Sequence, residues 1–351
     1  MMRDIEDYKY YKTRHDSVKA KSVKKKTRLI RTEEIPENSK KGRVIISTGR
    51  IHSVIPFGTN DFENYIDCEI AGILISEFDN KTIVTVGDIV YYIVDESEEE
   101  HRKGTILKVD HRETWISRKS TGIVDEHVIA SNVENLMIVM SAAEPFYNKR
   151  LIDRIIVSGL IGNMNICICI NKSELMETKF LKKDLKIYLE NNYQVELISA
   201  IENKGIAKFK KLLKDKTTLL IGPSGVGKST IVNKLVGKEL QKIQEVSDKT
   251  YKGKHTTSFG RILKLPFGGE IVDTPGIREF GIIGIEKEEL TLYFKDFEEY
   301  YDNCKFMPCS HTHEPECAIA KAVEEGKIDS ERYQSYLNIY NSIEEYEEDK
   351  Y

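Results

Sequence analysis

The run TTLLIGPSGVGKSTIVNKLVG at residues 217–237 constrains the fold more than any other part of the chain. An apolar strand pattern ends in a loop of the form G-x-x-x-x-G-K-[ST], and a helical pattern starts at once. The loop consists of Gly222, Pro223, Ser224, Gly225, Val226, Gly227, Lys228, Ser229 and Thr230. Its glycines let backbone N–H groups face one anion, and the N-terminus of the following helix adds favourable potential at the same point. In such a loop Lys228 reaches the β and γ phosphates of a nucleotide, and the Ser229 hydroxyl is placed for Mg²⁺. Strand, phosphate loop and helix in succession belong to a parallel sheet covered by helices on both faces.

The next apolar strand, GEIVD, ends in Asp273 and opens DTPG at residues 273–276. There a second carboxylate can hold Mg²⁺, and the Gly276 N–H can approach the γ-phosphate. Between the two motifs lies KGKHTTSFG, where Thr256 and Thr257 are candidates for a hydroxyl that coordinates Mg²⁺ only while the γ-phosphate is present. His255 is the candidate for orienting the attacking water. Ile277 stands where Ras-like proteins place a water-orienting Gln, so intrinsic hydrolysis is expected to be slow.

Upstream, NKSE at residues 171–174 follows the apolar run NICICI and resembles the N-K-x-D element by which GTPases recognise guanine. Asn171 and Lys172 match that element, and Glu174 takes the place of its Asp. A carboxylate there accepts hydrogen bonds from the guanine N1–H and amino group, which adenine does not offer in that arrangement. The extra methylene of Glu174 keeps the charge and changes the reach. The following strand ends in Ser199 and Ala200, resembling the S-A element that backs the base. Base recognition thus precedes the phosphate loop, the reverse of the usual order, which makes the domain circularly permuted. Permutation preserves a site because it reconnects termini that lie close together in the folded domain.

The 351-residue length favours two or three domains. Residues 1–41 read as a basic, flexible extension. Between Lys9 and Arg31 its bases are Lys9, Lys12, Arg14, Lys19, Lys21, Lys24, Lys25, Lys26, Arg28 and Arg31, in a chain whose net charge is only -4. Residues 42–120 carry recurrent β-rich runs, RVIISTG, IHSVIP, YIDCEI, KTIVTVGDIVYYIV, GTILKVD and TWISRKS, expected to form a small barrel of the OB-fold type. An SH3-like barrel would give a similar pattern. Strands and helices alternate over residues 121–282, including a charged helix from Thr178 to Asn191. Residues 283–351 read as a mostly helical module through AIAKAVEEG and SERYQSYLNIYNSIEEYEE.

That last module contains Cys304, Cys309, His311 and Cys317 in the spacing C-x4-C-x-H-x5-C, which suits one tetrahedral, structural zinc per chain. His313 is the rival imidazole, and the module is read as having little apolar sequence from which to build a core unaided. Cys68, Cys167 and Cys169 read as small buried side chains. With 31% charged residues, no run is apolar enough to span a bilayer, and the start MMRDIEDYKYYKTRHD lacks the apolar core of a secretory signal. A cytoplasmic monomer that binds GTP and GDP with Mg²⁺ is expected.

Taken together, NKSE, GPSGVGKST, KGKHTTSFGRI, DTPGIREFG and CKFMPCSHTHEPEC behind a small barrel resemble the RsgA (YjeQ) GTPases over about residues 42–340. The resemblance implies a GTPase of small (30S) ribosomal subunit maturation. It also implies a barrel that contacts ribosomal RNA, a zinc module that touches the subunit, and hydrolysis stimulated by the bound subunit. The alternatives are a P-loop ATPase or kinase and a nucleotide-insensitive RNA-binding scaffold.

Overall fold

A computed structural model describes residues 35–72, 74, 82–95, 103–119, 126–237, 260–274 and 281–348. The basic arm of residues 9–31 lies outside these residues. His255, Thr256, Thr257, Gly276 and Ile277 also fall outside them.

Five strands close the barrel: β1 (Lys40–Ser47), β2 (His52–Pro56), β3 (Ile66–Ile70), β4 (Ile89–Asp95) and β5 (Lys103–Val109). β1 pairs with β2, β2 with β3, β3 in parallel with β5, β5 with β4, and β4 back to β1 at Lys40 and Tyr92. That order, with its single parallel pair, is the OB-fold arrangement, and closure leaves the barrel without a free edge. Val44, Val54, Cys68, Val90, Tyr92 and Ile106 are fully buried. Two of the predicted strand runs behave differently. KTIVTVGDIVYYIV is broken by a turn at Gly87 and Asp88, and only its second half is a strand. TWISRKS forms β6 (Trp115–Lys119), which pairs with β7 (Glu126–Ser131) in a separate hairpin. Ile116, Ile129 and Ala130 of that hairpin pack into a core shared with the α/β sheet, which removes their apolar surface from water.

His52 carries a pH-dependent cost. It is 1% exposed, both ring nitrogens lack partners among the described residues, and burial lowers its pKa to about 4 against the opposing influence of Asp88. The unfolded chain therefore binds more protons between pH 6.5 and 4, so stability falls as the pH is lowered through that window. The loss at pH 5 should reach about 2 kcal/mol. Urea unfolding at pH 7.5 and 5 should show a smaller midpoint shift for His52→Leu than for the wild type. Equal shifts would remove His52 as the cause.

The α/β sheet runs β10, β9, β8, β11, β13, β12. Its strands are β8 (Asn135–Ser141), β9 (Asn165–Asn171), β10 (Gln194–Leu197), β11 (Thr217–Ile221), β12 (Gly260–Lys264) and β13 (Glu270–Asp273). All neighbours are parallel except β12 and β13. Helices α1 (Lys149–Ile161), α2 (Thr178–Asp184), α3 (Lys186–Glu190), α4 (Ile206–Leu213) and α5 (Lys228–Val236) cover it. β8 is buried at every position, as a central parallel strand must be when helices cover both faces. The expected helix over residues 178–191 is split at Leu185 into α2 and α3. Asp184, the last residue of α2, is held by the Tyr147 hydroxyl and by Lys149, tertiary partners that helical periodicity does not encode. Cys167 and Cys169 are core residues, and burial pushes the Cys167 thiol up to about 11.

The barrel continues into this sheet. β1 pairs antiparallel with β12 at Ile46 with Arg261 and Ser47 with Gly260, and Arg43 reaches Glu270 at 2.7 Å. The C-terminal part holds short 3₁₀ turns, then α6 (Ala318–Glu324) and α7 (Ser330–Glu348). Its core is richer than the sequence suggests. Phe294, Phe297 and Tyr336 pack ring on ring, with Ile339 and Ile343 beside them and Val157 and Ile161 borrowed from α1. The aromatic residues are scattered along the chain, so their convergence shows only in the folded state. Among the described residues no helix is long and apolar enough to cross a membrane.

Candidate functional site

The carboxyl ends of the parallel strands bring the nucleotide motifs together. Asn171 ends β9, Ser199 and Ala200 follow β10, the phosphate loop follows β11, and Asp273 ends β13. This is the edge of an open α/β sheet where ligands bind.

Two glycines in the loop are required by geometry. A Cβ on Gly222 would lie 1.9 Å from the Val139 carbonyl oxygen of β8, so the loop can leave the sheet at this angle only without a side chain. Gly227 has φ of 93°, and a Cβ there would meet Asn171 Nδ2 at 2.4 Å. Gly225 also has positive φ, while Val226 is buried and anchors the loop from beneath. Pro223 is half-buried and Ser224, Ser229 and Thr230 are exposed. Lys228 Nζ donates to the carbonyls of Gly222 and Pro223 at 2.6 and 2.8 Å, folding the side chain over the space an anion would occupy. Burial lowers its pKa, and the Asp273 carboxylate acts in the opposite direction. Asp273 itself sits 3.5 Å from Arg261.

Asn171 acts as a tie between the motifs. Its Nδ2 donates to the Val226 carbonyl at 2.9 Å, and its Oδ1 accepts from the Ala200 N–H at 3.1 Å. The phosphate loop and the Ser-Ala turn are thereby held at fixed separation by one buried side chain. Ser199 is buried, and its hydroxyl accepts from the Glu202 N–H at 3.0 Å, shaping the turn. Glu174 lies in the 3₁₀ turn Ser173–Leu175, and its Oε2 is enclosed without a donor among the described residues. An enclosed carboxylate oxygen without a partner is costly unless a ligand supplies the donors, so this site fits a base carrying adjacent N–H groups.

Sequence reasoning missed the loop at residues 142–148. Lys172, in a left-handed backbone conformation, donates from Nζ to the Glu144 carbonyl, and a Cβ on Gly225 would sit 3.5 Å from Pro145 Cδ. No motif marks this loop. A signal was nonetheless present, since a proline ending a strand pattern before a helix marks a tight turn at the sheet's carboxyl end.

In the C-terminal part the ligand atoms of Cys304, Cys309, His311 and Cys317 all lie within 4.8 Å of one another. His311 Nδ1 is 3.5 Å from both the Cys304 and Cys317 sulfurs, which are 3.9 Å apart. Zinc bond lengths in a tetrahedron give edges of about 3.6 Å between sulfur and nitrogen and about 3.8 Å between sulfurs. The donor set therefore fits a metal ion such as zinc. His313 is not part of it, being exposed with Nδ1 at 2.8 Å from the Thr312 hydroxyl. Tyr333 and Tyr336 of α7 donate to the carbonyls of His311 and Ser310 at 2.7 and 2.8 Å, tying the ligand loop to the aromatic core.

A central phosphate loop, with the base-recognition motifs on earlier strands of the same sheet, defines a circularly permuted P-loop nucleotide-binding protein. Residues 109–283 match the family model described as RsgA GTPase. The small ribosomal subunit biogenesis GTPase RsgA of Chlorobaculum parvum is 38% identical over 285 residues, spanning 80% of this chain and 92% of that protein. That of Flavobacterium psychrophilum is 36% identical over 291 residues, spanning 80% and 88%. Among solved structures, YjeQ from Thermotoga maritima superposes with a TM-score of 0.64 at 28% identity, covering 87% of this chain and 98% of that one. YloQ, described as a circularly permuted GTPase, superposes with a TM-score of 0.62 at 26% identity, covering 90% and 98%. The chain belongs to the RsgA GTPase family, whose members are GTP-hydrolysing enzymes.

Proposed function

We propose that this chain binds GTP in preference to ATP, hydrolyses it to GDP and phosphate, and acts in maturation of the small ribosomal subunit, which stimulates turnover when bound. The nucleotide reading is carried by the enclosed Glu174 Oε2, which has no donor among the described residues, and by a phosphate loop that Asn171 ties to the Ser199–Ala200 turn. Its relatives' names, small ribosomal subunit biogenesis GTPase, support the assignment to subunit maturation.

In this reading Glu174 accepts from the guanine edge, Lys172 and the Ser199 and Ala200 turn enclose the base, and the loop N–H groups from Gly222 to Thr230 hold the phosphates. Lys228 exchanges its two carbonyl partners for β and γ phosphate oxygens. Ser229 and Asp273 would hold Mg²⁺, which when bound neutralises charge on the phosphates. Thr256 or Thr257, Gly276 and His255 would complete the γ-phosphate side. One structural zinc per chain would sit on Cys304, Cys309, His311 and Cys317. The proposed division is an extension over 1–41, a barrel over 42–120 whose last run, β6, packs instead on the α/β core, a GTPase domain over 121–282 and a zinc module over 283–351. A cytoplasmic monomer is the proposed state.

The barrel offers a surface suited to RNA. Lys41 pairs across strands with Tyr91, and Tyr91 with Lys108. Lys41 Nζ lies 4.9 Å from the ring of Phe57, which is 55% exposed, and 5.5 Å from that of Tyr91. Alternating rings and ammonium groups can stack unpaired bases and meet their phosphates.

The test is GTP turnover with and without purified small subunits. Because Ile277 cannot orient water, the free protein should turn over slowly and the subunit should raise the rate severalfold or more. Turnover indifferent to the subunit, with ATP used as well as GTP, would favour an ordinary P-loop ATPase instead.

A further inference from the structure

Helix α1 is packed on two sides. Ile152, Ile155 and Ile156 lie in the core under the sheet. Lys149, Asp153, Val157 and Ile161, spaced four residues apart, form one stripe that meets the C-terminal part. Along the stripe Lys149 pairs with Glu331 at 2.9 Å, Asp153 accepts from Arg332, and Val157 and Ile161 join the aromatic cluster. Arg332 and Asp153 are 2% and 1% exposed. The same guanidinium donates from Nε to Asp296 at 3.2 Å and lies 4.6 Å from the Phe294 ring centre, while Tyr188 donates to Asp153 at 2.9 Å. One arginine of α7 therefore joins carboxylates from both sides of the seam.

The loop at residues 142–148 leads directly into this helix. It touches the nucleotide motifs at two points, through the Glu144 carbonyl on Lys172 and through Pro145 beside Gly225. It is anchored to the seam by Tyr147 and Lys149, which share Asp184. Arg332 and the phosphate loop are thus the two ends of one packed connection.

We propose that Arg332 is a positioning residue for the nucleotide site, acting through Asp153 and α1 to hold the 144–147 loop against Lys172 and the turn at Gly225. The proposal rests on the reading of Lys172 and the phosphate loop as nucleotide contacts. Without the guanidinium, Asp153 and Asp296 are left as uncompensated buried charges, and α1 must shift to rehydrate them. The entry loop moves with the helix, and a bound nucleotide is held less firmly.

The experiment is dissociation of fluorescently labelled GDP from the full-length protein, well below its unfolding temperature. Arg332→Met should release GDP about fivefold faster. Arg332→Lys, which restores one charge contact, should recover much of the loss. Glu331→Gln removes only the bridge to Lys149 from a side chain that is 65% exposed, and should speed release by about twofold. If Arg332→Met does not fold, the other two variants carry the comparison. A merely structural role would lower thermal midpoints and leave these rates unchanged. Wild-type binding with variant rates indistinguishable from it overturns the proposal alone, whereas a wild type that does not bind labelled GDP overturns the nucleotide reading and this proposal together.

Discussion

Lys228→Ala is expected to lower affinity for both GTP and GDP by about a hundredfold. In the structure the ammonium group is spent on the Gly222 and Pro223 carbonyls, so binding exchanges two neutral acceptors for charged phosphate oxygens. Charge-assisted hydrogen bonds are worth more than neutral ones, and losing them costs about 3 kcal/mol, equivalent to two decades in Kd. The fold should survive, since the Asn171 tie and the buried Val226 hold the loop independently of the lysine. Titration with fluorescent nucleotides measures the loss, and the same titration with ATP tests the base assignment. Equal affinity for ATP and GTP would end the role given to Glu174, and an Ala variant that binds as tightly as the wild type would end that given to Lys228.

Cys309→Ala should reduce bound zinc from one per chain to far below stoichiometric. A structural site gains its affinity from closing all four positions at once, and zinc held by two sulfurs and one imidazole is open to water and chelators. The ligand loop at residues 304–317 contains no regular helix or strand, so a bound metal would add to the few hydrogen bonds that shape it. The rest of the module should persist. Phe294, Phe297 and Tyr336 form a core that reaches into α1, where Arg332 pairs with Asp153. The expected outcome is therefore local: zinc lost by elemental analysis and the loop opened to protease, with helical content largely retained. Stoichiometric zinc in the variant would show the ligand set to be wrong, and collapse of the whole module would show the aromatic core to be insufficient.

The sequence by itself determined the chemistry that is carried by short spacing. The phosphate loop needs its glycines, lysine and serine within nine residues, and the four metal donors lie within fourteen, so their geometry follows from local chain dimensions. The order of the motifs along the chain likewise disclosed the permutation without coordinates. Tertiary structure decided whatever depends on residues far apart in sequence. The spacing pointed to His311 with His313 as the rival, and the folded loop sets the His311 ring beside the thiols while His313 is exposed against the Thr312 hydroxyl. The tie from Asn171 to Val226 spans 55 residues and the pair of Arg332 with Asp153 spans 179. Hairpin β6 and β7 joined the α/β core, and helix 178–191 broke at Leu185, for the same reason. Periodicity records which face of an element is apolar, whereas the partner that covers it is chosen by closure of the barrel and by layers of the sheet, which appear only when the whole chain is folded.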